Sequence, residues 1–251
     1  MARRRFFVDA IRNGRAELHG EAAEHLRRVL RAERGQRYEI SDNESVYLAE
    51  IEGFGKARVQ FRVLEELEAG APPVRITLLA SLIKFDRFEW ILEKATELGV
   101  ERVTPVAAAR SEKGLDKAAG KRLDRWRRIL LESSQQARRA RLPEITEPIP
   151  FARALETAEI HRLILEEQPG APLVHSVLPP NRAPEDTLAL LVGPEGGWTD
   201  EERAVARERG WQAISLGPGI LRAETAAIAA LAVLTCAWLD RSPRLDITSR
   251  R

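Results

Sequence analysis

Two segments in the last quarter of the chain hold the residue types that could cradle a small ligand and act on it. The first is Leu190-Leu-Val-Gly-Pro-Glu-Gly-Gly-Trp-Thr-Asp-Glu-Glu202, an apolar strand running into a glycine loop. Gly193, Pro194, Gly196 and Gly197 surround one acid, Glu195, just after Leu191 and Val192. Glycine lets the backbone pass through positive φ and lets a ligand approach it with no Cβ in the way. Thr199 and Glu202 have the spacing of a capping box, which predicts a helix start. The second segment is Leu216-Gly-Pro-Gly-Ile-Leu-Arg-Ala-Glu-Thr-Ala226, a loop at Gly217 to Gly219 that opens an Ala-rich apolar helix. Two such loops on neighbouring strands predict one ligand held by backbone N–H and C=O groups.

Other chemistries lack their residues. His19, His25, His161 and His175 are scattered, with no hydrolase motif around them. One cysteine and no paired histidine spacing disfavour a metal site. The string from Gly217 to Glu224 is half of a G-x-G-x-x-G fingerprint and comes too late for a dinucleotide-binding first turn.

The two loops resemble the family of enzymes that methylate N3 of a uridine in 16S ribosomal RNA, within the SPOUT superfamily of trefoil-knotted methyltransferases. Its signatures are close to "GPEGG" and "LR-x-ETA" as they stand here. His25-Leu-Arg-Arg-Val-Leu-Arg31, Lys94-Ala-Thr-Glu-Leu-Gly-Val100 and the basic stretch from Arg125 to Pro143 resemble further family segments, so the likeness spans about residues 20 to 240. It departs at Lys84-Phe-Asp-Arg87, where Phe85 replaces a glycine, and at Arg110-Ser-Glu-Lys-Gly114, which lacks the usual apolar pair.

The resemblance implies S-adenosylmethionine as methyl donor. Donor contacts are then expected from Leu191, Val192, Gly193, Pro194, Glu195, Gly196 and Gly197, and from Leu216, Gly217, Ile220, Leu221, Arg222, Ala223, Thr225 and Ala226. Methylating uracil N3 requires loss of an imide proton, so the site should offer a positive group for the developing anion and a route for the proton. Arg222 and Glu224 are the candidates. Arg222 would meet the anion, while Glu224 would orient Arg222 or take the proton; the plainer alternative is an ion pair capping the last helix. Glu195 either binds the donor's amino group or holds the loop's shape. The role of Trp198 stays open, and Trp126 is expected to be buried rather than stacked on a base. The rival functions are a SPOUT methyltransferase acting on another RNA, such as 2′-O-ribose methylation of tRNA, and a non-catalytic RNA-binding assembly factor.

The elements that must position these residues fall into two groups. Up to about residue 70, Phe6 to Val8, Arg37 to Ile40, Ser45 to Ile51 and Ala57 to Leu64 alternate apolar and polar residues as strands do. Asn13-Gly14, Asp42-Asn43 and Gly53-Phe-Gly55 are turn signals, and Glu21 to Leu30 is one short amphipathic helix. This predicts a small barrel over 1–70, and the resemblance implies a PUA-like one that holds RNA. Glu65 to Pro73 has the composition of a linker. Over 74–245, strands at 74–82, 102–107, 162–165, 187–192 and 212–216 alternate with helices, including one at 121–139. That pattern predicts a mostly parallel α/β sheet covered on both faces. The trefoil knot is implied only by the resemblance.

Net charge is +2, but its distribution is uneven. Ten arginines face five acids between Arg3 and Arg37, and eight Lys/Arg face two acids between Lys121 and Arg141. Basic clusters suit phosphate contact. Arg3, Arg4, Arg27, Arg28, Arg31, Arg138 and Arg139 are the RNA-binding candidates, against the plainer reading of solvated helix faces. No apolar run is long enough to span a bilayer, and the basic N-terminus lacks the apolar core of a signal peptide. Cys236, the single cysteine, reads as a small core residue. The expected setting is the cytoplasm, with 16S rRNA of the small ribosomal subunit as partner, no membrane and no metal. The superfamily likeness adds a homodimer.

Overall fold

A computed structural model describes residues 5–240; Arg3 and Arg4, and the stretch 241–245 assigned to the second domain, lie outside them. The chain divides into two compact units, one holding the residues up to Gly70 with Leu130–Leu142, the other running over Ala71–Ile129 and from Pro143 onward. The segment Leu130–Leu142, which the alternation of elements places in the second domain, therefore groups with the first.

The first unit is a six-stranded mixed sheet in the order β1-β4-β5-β6-β3-β2. Its strands are β1 (Arg5–Phe7), β2 (Ile11–Arg12), β3 (Arg15–His19), β4 (Arg37–Ser41), β5 (Val46–Gly55) and β6 (Arg58–Leu67). Only β1 and β4 run parallel. Period-2 alternation turns Phe6, Ile40, Ile51 and Phe61 into one core, closed by Leu26. Of the two glycines expected at a turn, Gly53 lies inside β5, where the register shifts between Ile51 and Gly53, and Gly55 ends the strand directly before the turn at 56–57, with Ala57 at φ +54°. The 21–30 helix is also irregular. An α-helical turn, α1 (Gly20–Glu24), passes into a π-helical turn over His25–Val29. Arg27 and Arg28 are exposed on that turn, whereas Arg31 lies beyond it in the left-handed region at φ +49°.

Residues 138–142 complete this unit. Arg138 and Arg5 both engage the buried carboxylate of Glu39. Ser41 Oγ donates to the Ala140 carbonyl at 2.6 Å, and the Leu142 N–H donates to Asn43 Oδ1 at 2.7 Å. Arg138 is thus committed to a carboxylate, which removes it from the freely presented cations. Arg139 is half-buried and donates to the Arg141 carbonyl.

The second unit is a parallel sheet of seven strands, ordered β10-β8-β7-β12-β11-β13, with β9 beside β8. The strands are β7 (Arg75–Ser81), β8 (Arg102–Ala107), β9 (Glu144–Ile145), β10 (Ile149–Pro150), β11 (His161–Leu165), β12 (Thr187–Val192) and β13 (Gln212–Ile214). Between them lie α2 (Phe85–Glu97), α3 (Leu115–Ala119), α4 (Leu123–Gln136, of which the residues from Leu130 on group with the first unit), α5 (Phe151–Ala154), α6 (Val174–Val177), α7 (Asp200–Glu208) and α8 (Ala223–Leu239). The run Leu188 to Val192 is buried throughout, as expected of a central parallel strand covered on both faces. Trp126 is fully buried against Phe88 and Phe85. Cys236, by contrast, is exposed. α8 is apolar all round, so its sequence does not reveal which face turns outward, and Cys236 sits with Val233 and Leu239 on the outward one.

Candidate active site

The two glycine loops meet at the C-terminal ends of β12 and β13, where parallel α/β sheets place their ligands. They enclose a cavity of about 360 Å³. Val192, Gly193, Pro194, Glu195, Gly197 and Trp198 line one side, and Leu216, Gly217, Ile220, Leu221, Arg222, Ala223 and Ala226 line the other. Three expected residues stand off the lining: Leu191 is fully buried in the strand, Gly196 turns outward, and Thr225 is exposed on α8.

The first loop is shaped by short-range chemistry. The Gly197 N–H donates to the Pro194 carbonyl at 2.9 Å, closing a turn that puts Gly197 at φ +65°. A Cβ there would also stand 2.3 Å from Oε1 of the exposed Glu167 side chain, which can move aside, so it is the left-handed backbone that calls for glycine. Trp198 is nearly fully buried; its Nε1–H donates to the Leu165 carbonyl at 2.9 Å and its ring packs on Phe151. A Cβ at Gly193 would stand 3.1 Å from that indole, so the tryptophan forms the floor beneath the loop. Thr199 then caps α7: its Oγ1 accepts from the Glu202 N–H at 3.1 Å, and Glu202 Oε2 accepts from the Thr199 N–H at 2.9 Å. The other oxygen of Glu202 accepts from the Ala109 N–H at 2.8 Å, and Arg110 donates to the carbonyls of Gly196 and Trp198.

The second loop hangs from Ser215, whose Oγ accepts from the Gly217 N–H at 3.1 Å and donates to the Gly217 carbonyl at 3.2 Å. Arg222 stands at the N-cap of α8 with its side chain exposed at the rim. Glu224, two residues on, points elsewhere: its side chain is buried, with Oε1 4.0 Å from Arg87 Nε. No hydrogen bond or ion pair joins Glu224 to Arg222 among the described residues.

Several lining residues carry no local signal in the sequence. Arg87 reaches the cavity from α2 and pairs with Glu195. Leu165, Glu166 and Glu167 arrive from the end of β11, with Glu166 fixed by Arg203 at 2.7 Å. Of these, only Arg87 lies in a segment that stands out in the sequence, as the end of a stretch that departs from the family's pattern.

Residues 71–235 match the RNA methyltransferase domain family. The chain belongs to this family. Among RNA methyltransferases, it is 34% identical to ribosomal RNA small subunit methyltransferase E of Synechocystis, over 86% of this chain and 70% of that one. The Mycobacterium bovis protein of the same name is 32% identical over 93% of this chain and 92% of its own. A crystal structure of ribosomal RNA small subunit methyltransferase E from Neisseria gonorrhoeae, bound to S-adenosyl methionine, superposes with a TM-score of 0.84 at 30% identity, covering 94% and 98% of the two chains.

Proposed function

We propose that the chain transfers the methyl group of S-adenosylmethionine to N3 of a uridine in 16S rRNA of the small ribosomal subunit. The observation that carries this reading is the single cavity built from the two glycine loops, in a chain similar over nearly its whole length to small-subunit rRNA methyltransferases.

The residues present fit the donor. Leu165, Val192, Leu216, Ile220, Leu221 and Ala226 offer apolar walls for an adenine, while Gly193 and Gly197 leave backbone room that a Cβ would fill. Glu167 adds a carboxylate to the lining, while Glu166 and Glu195 are already paired with Arg203 and Arg87. When bound, the donor supplies a methyl on a sulfonium that is already a good leaving group, so the protein's work is chiefly orientation. Arg222 would face the negative charge that appears on the uracil as its N3 proton leaves, a role that its exposure at the rim supports. Glu224 is shut away from solvent beside Arg87 rather than Arg222, which favours neither proton transfer nor the orienting of Arg222.

The non-sequential order β7-β12-β11 supports the SPOUT-type trefoil knot, and the mixed sheet of the first unit supports a PUA-like RNA-binding barrel. The outward face of α8, with Val233, Cys236 and Leu239, supports a homodimer. No helix among the described residues is long and apolar enough to cross a membrane. A ribosomal substrate makes the cytoplasm the proposed setting, and the proposed chemistry calls for no metal. The test is to incubate labelled donor with undermethylated small subunits and map the label by mass spectrometry of digested rRNA. A label on uridine N3 is expected; a label on ribose, or only on tRNA, would replace this reading.

A further inference from the structure

Arg87 joins the two walls of the cavity. It occupies the third position of α2, lines the cavity, and forms an ion pair with Glu195 at the tip of the first loop. Its Nε lies 4.0 Å from Glu224 in the first turn of α8, which carries the second loop. The other ties of the first loop are the Pro194–Gly197 turn bond, which spans Glu195, and the carbonyls of Gly196 and Trp198 beyond it; none of them holds the Glu195 side chain. The second loop is tied at Ser215 before it and reaches Glu224 after it, with Ile220 almost fully exposed between.

The energetics require the bridge. Glu224 has only 5% of its side chain exposed, and its Oε2 is buried without a hydrogen-bond partner. A charge so placed is tolerated only beside an opposite charge, and Arg87 is the cation within ion-pair range among the described residues. The first-turn position of Glu224 adds the favourable field of the α8 dipole. α2 and α8 pack side by side and run in the same direction: Arg87 meets Glu224 at their N-terminal ends, and Thr235 Oγ1 donates to the Leu98 carbonyl near their C-terminal ends. Arg87 is therefore carried by a helix that shares the frame of one wall while its guanidinium grips the other.

We propose that Arg87 is a positioning residue which, by bridging Glu195 and Glu224, sets the separation of the two loops and with it the affinity for the methyl donor. The second half of that statement rests on the donor reading of the cavity; the first does not.

The test compares wild type with Arg87→Ala, Arg87→Lys, Glu195→Gln and the double variant Arg87→Ala/Glu195→Gln. Calorimetry with S-adenosylhomocysteine gives the affinity, and hydrogen–deuterium exchange of ligand-free protein reads residues 193–197 and 217–226. Arg87→Ala should bind about tenfold more weakly and exchange faster in both loops, with α7 unchanged. Arg87→Lys should recover part of both effects, since it keeps the charge and loses the fork that reaches two carboxylates. The double variant should be little worse than Arg87→Ala, because both changes break one link. Affinity within about twofold of wild type overturns the proposal. Weaker binding with unchanged exchange would overturn it too, making Arg87 a direct ligand contact. If Arg87→Ala does not fold, Arg87→Lys and Glu195→Gln decide by the same two readings. Should wild type bind no S-adenosylhomocysteine, the donor reading fails, and exchange alone still decides whether Arg87 couples the loops.

Discussion

Gly197 and Arg222 differ in what their loss should do, because one shapes the cavity and the other faces it. At Gly197 any side chain meets a left-handed backbone and the Glu167 carboxylate together. The left-handed conformation alone costs an L-residue about 1 to 2 kcal/mol. Gly197→Ala should therefore weaken donor binding by about tenfold or more by calorimetry, while circular dichroism shows the fold retained. Arg222 is exposed and holds no element in place. If its partner is charge that forms only in the transition state, Arg222→Ala should lower single-turnover rates by about 10²- to 10³-fold and leave donor affinity nearly unchanged. A collapse of affinity with an unaffected rate would make it a binding residue. The sequence made both positions visible because each lies in a short, dense motif. It hid Glu167, and it marked Arg87 and Arg110 only as members of stretches that depart from the family's pattern; the roles of all three come from strands and helices far away in the chain.

The elements were legible where one local rule decides. Thr199 and Glu202 form the capping box that their spacing requires, and β12 is as buried as its apolar run demands. Legibility failed where tertiary context overrides local preference. The helix expected over 21–30 changes from α to π at His25, and a bulge between Ile51 and Gly53 carries β5 past Gly53. α8 is so uniformly apolar that its outward face could not be read, and Cys236 sits on that face rather than in the core. The far end of that helix gives a test at this scale. Burial alone would push the Asp186 carboxyl up, but the Ala183 N–H, the Trp238 indole N–H and His161 outweigh it and hold it below the usual carboxylate range. A depressed carboxyl stabilises the fold above its unfolded pKa, about 3.9, and that contribution disappears as pH falls through the lower folded value. Asp186→Asn should accordingly lower stability at pH 7 and flatten its acid dependence below about pH 4, measured by urea unfolding. An unchanged acid limb would assign the acid sensitivity to other carboxylates.

At the scale of the whole molecule, the two units invite separate measurements. The exposed Arg27, Arg28 and Arg31 should contribute RNA affinity and no chemistry. Replacing all three with Ala should flatten the dependence of log K on log salt by up to about 0.7 to 0.9 for each phosphate no longer neutralised, with donor binding untouched; an unchanged slope would show them to be bystanders. The apolar face of α8 should carry the proposed dimer, so Val233→Asp with Leu239→Asp should yield monomers in sedimentation velocity. Persistent dimers would place the interface elsewhere. The return of Leu130–Leu142 to the first unit also orders events in time. A ribosome synthesises the chain from its N-terminus at about 5 to 20 residues per second. The first seventy residues are thus finished several seconds before Arg138 exists to meet Glu39, or Ala140 to meet Ser41. During that interval the nascent sheet holds a carboxylate with half its partners, and it completes its structure only after the first segment of the second unit, Ala71–Ile129, has been made.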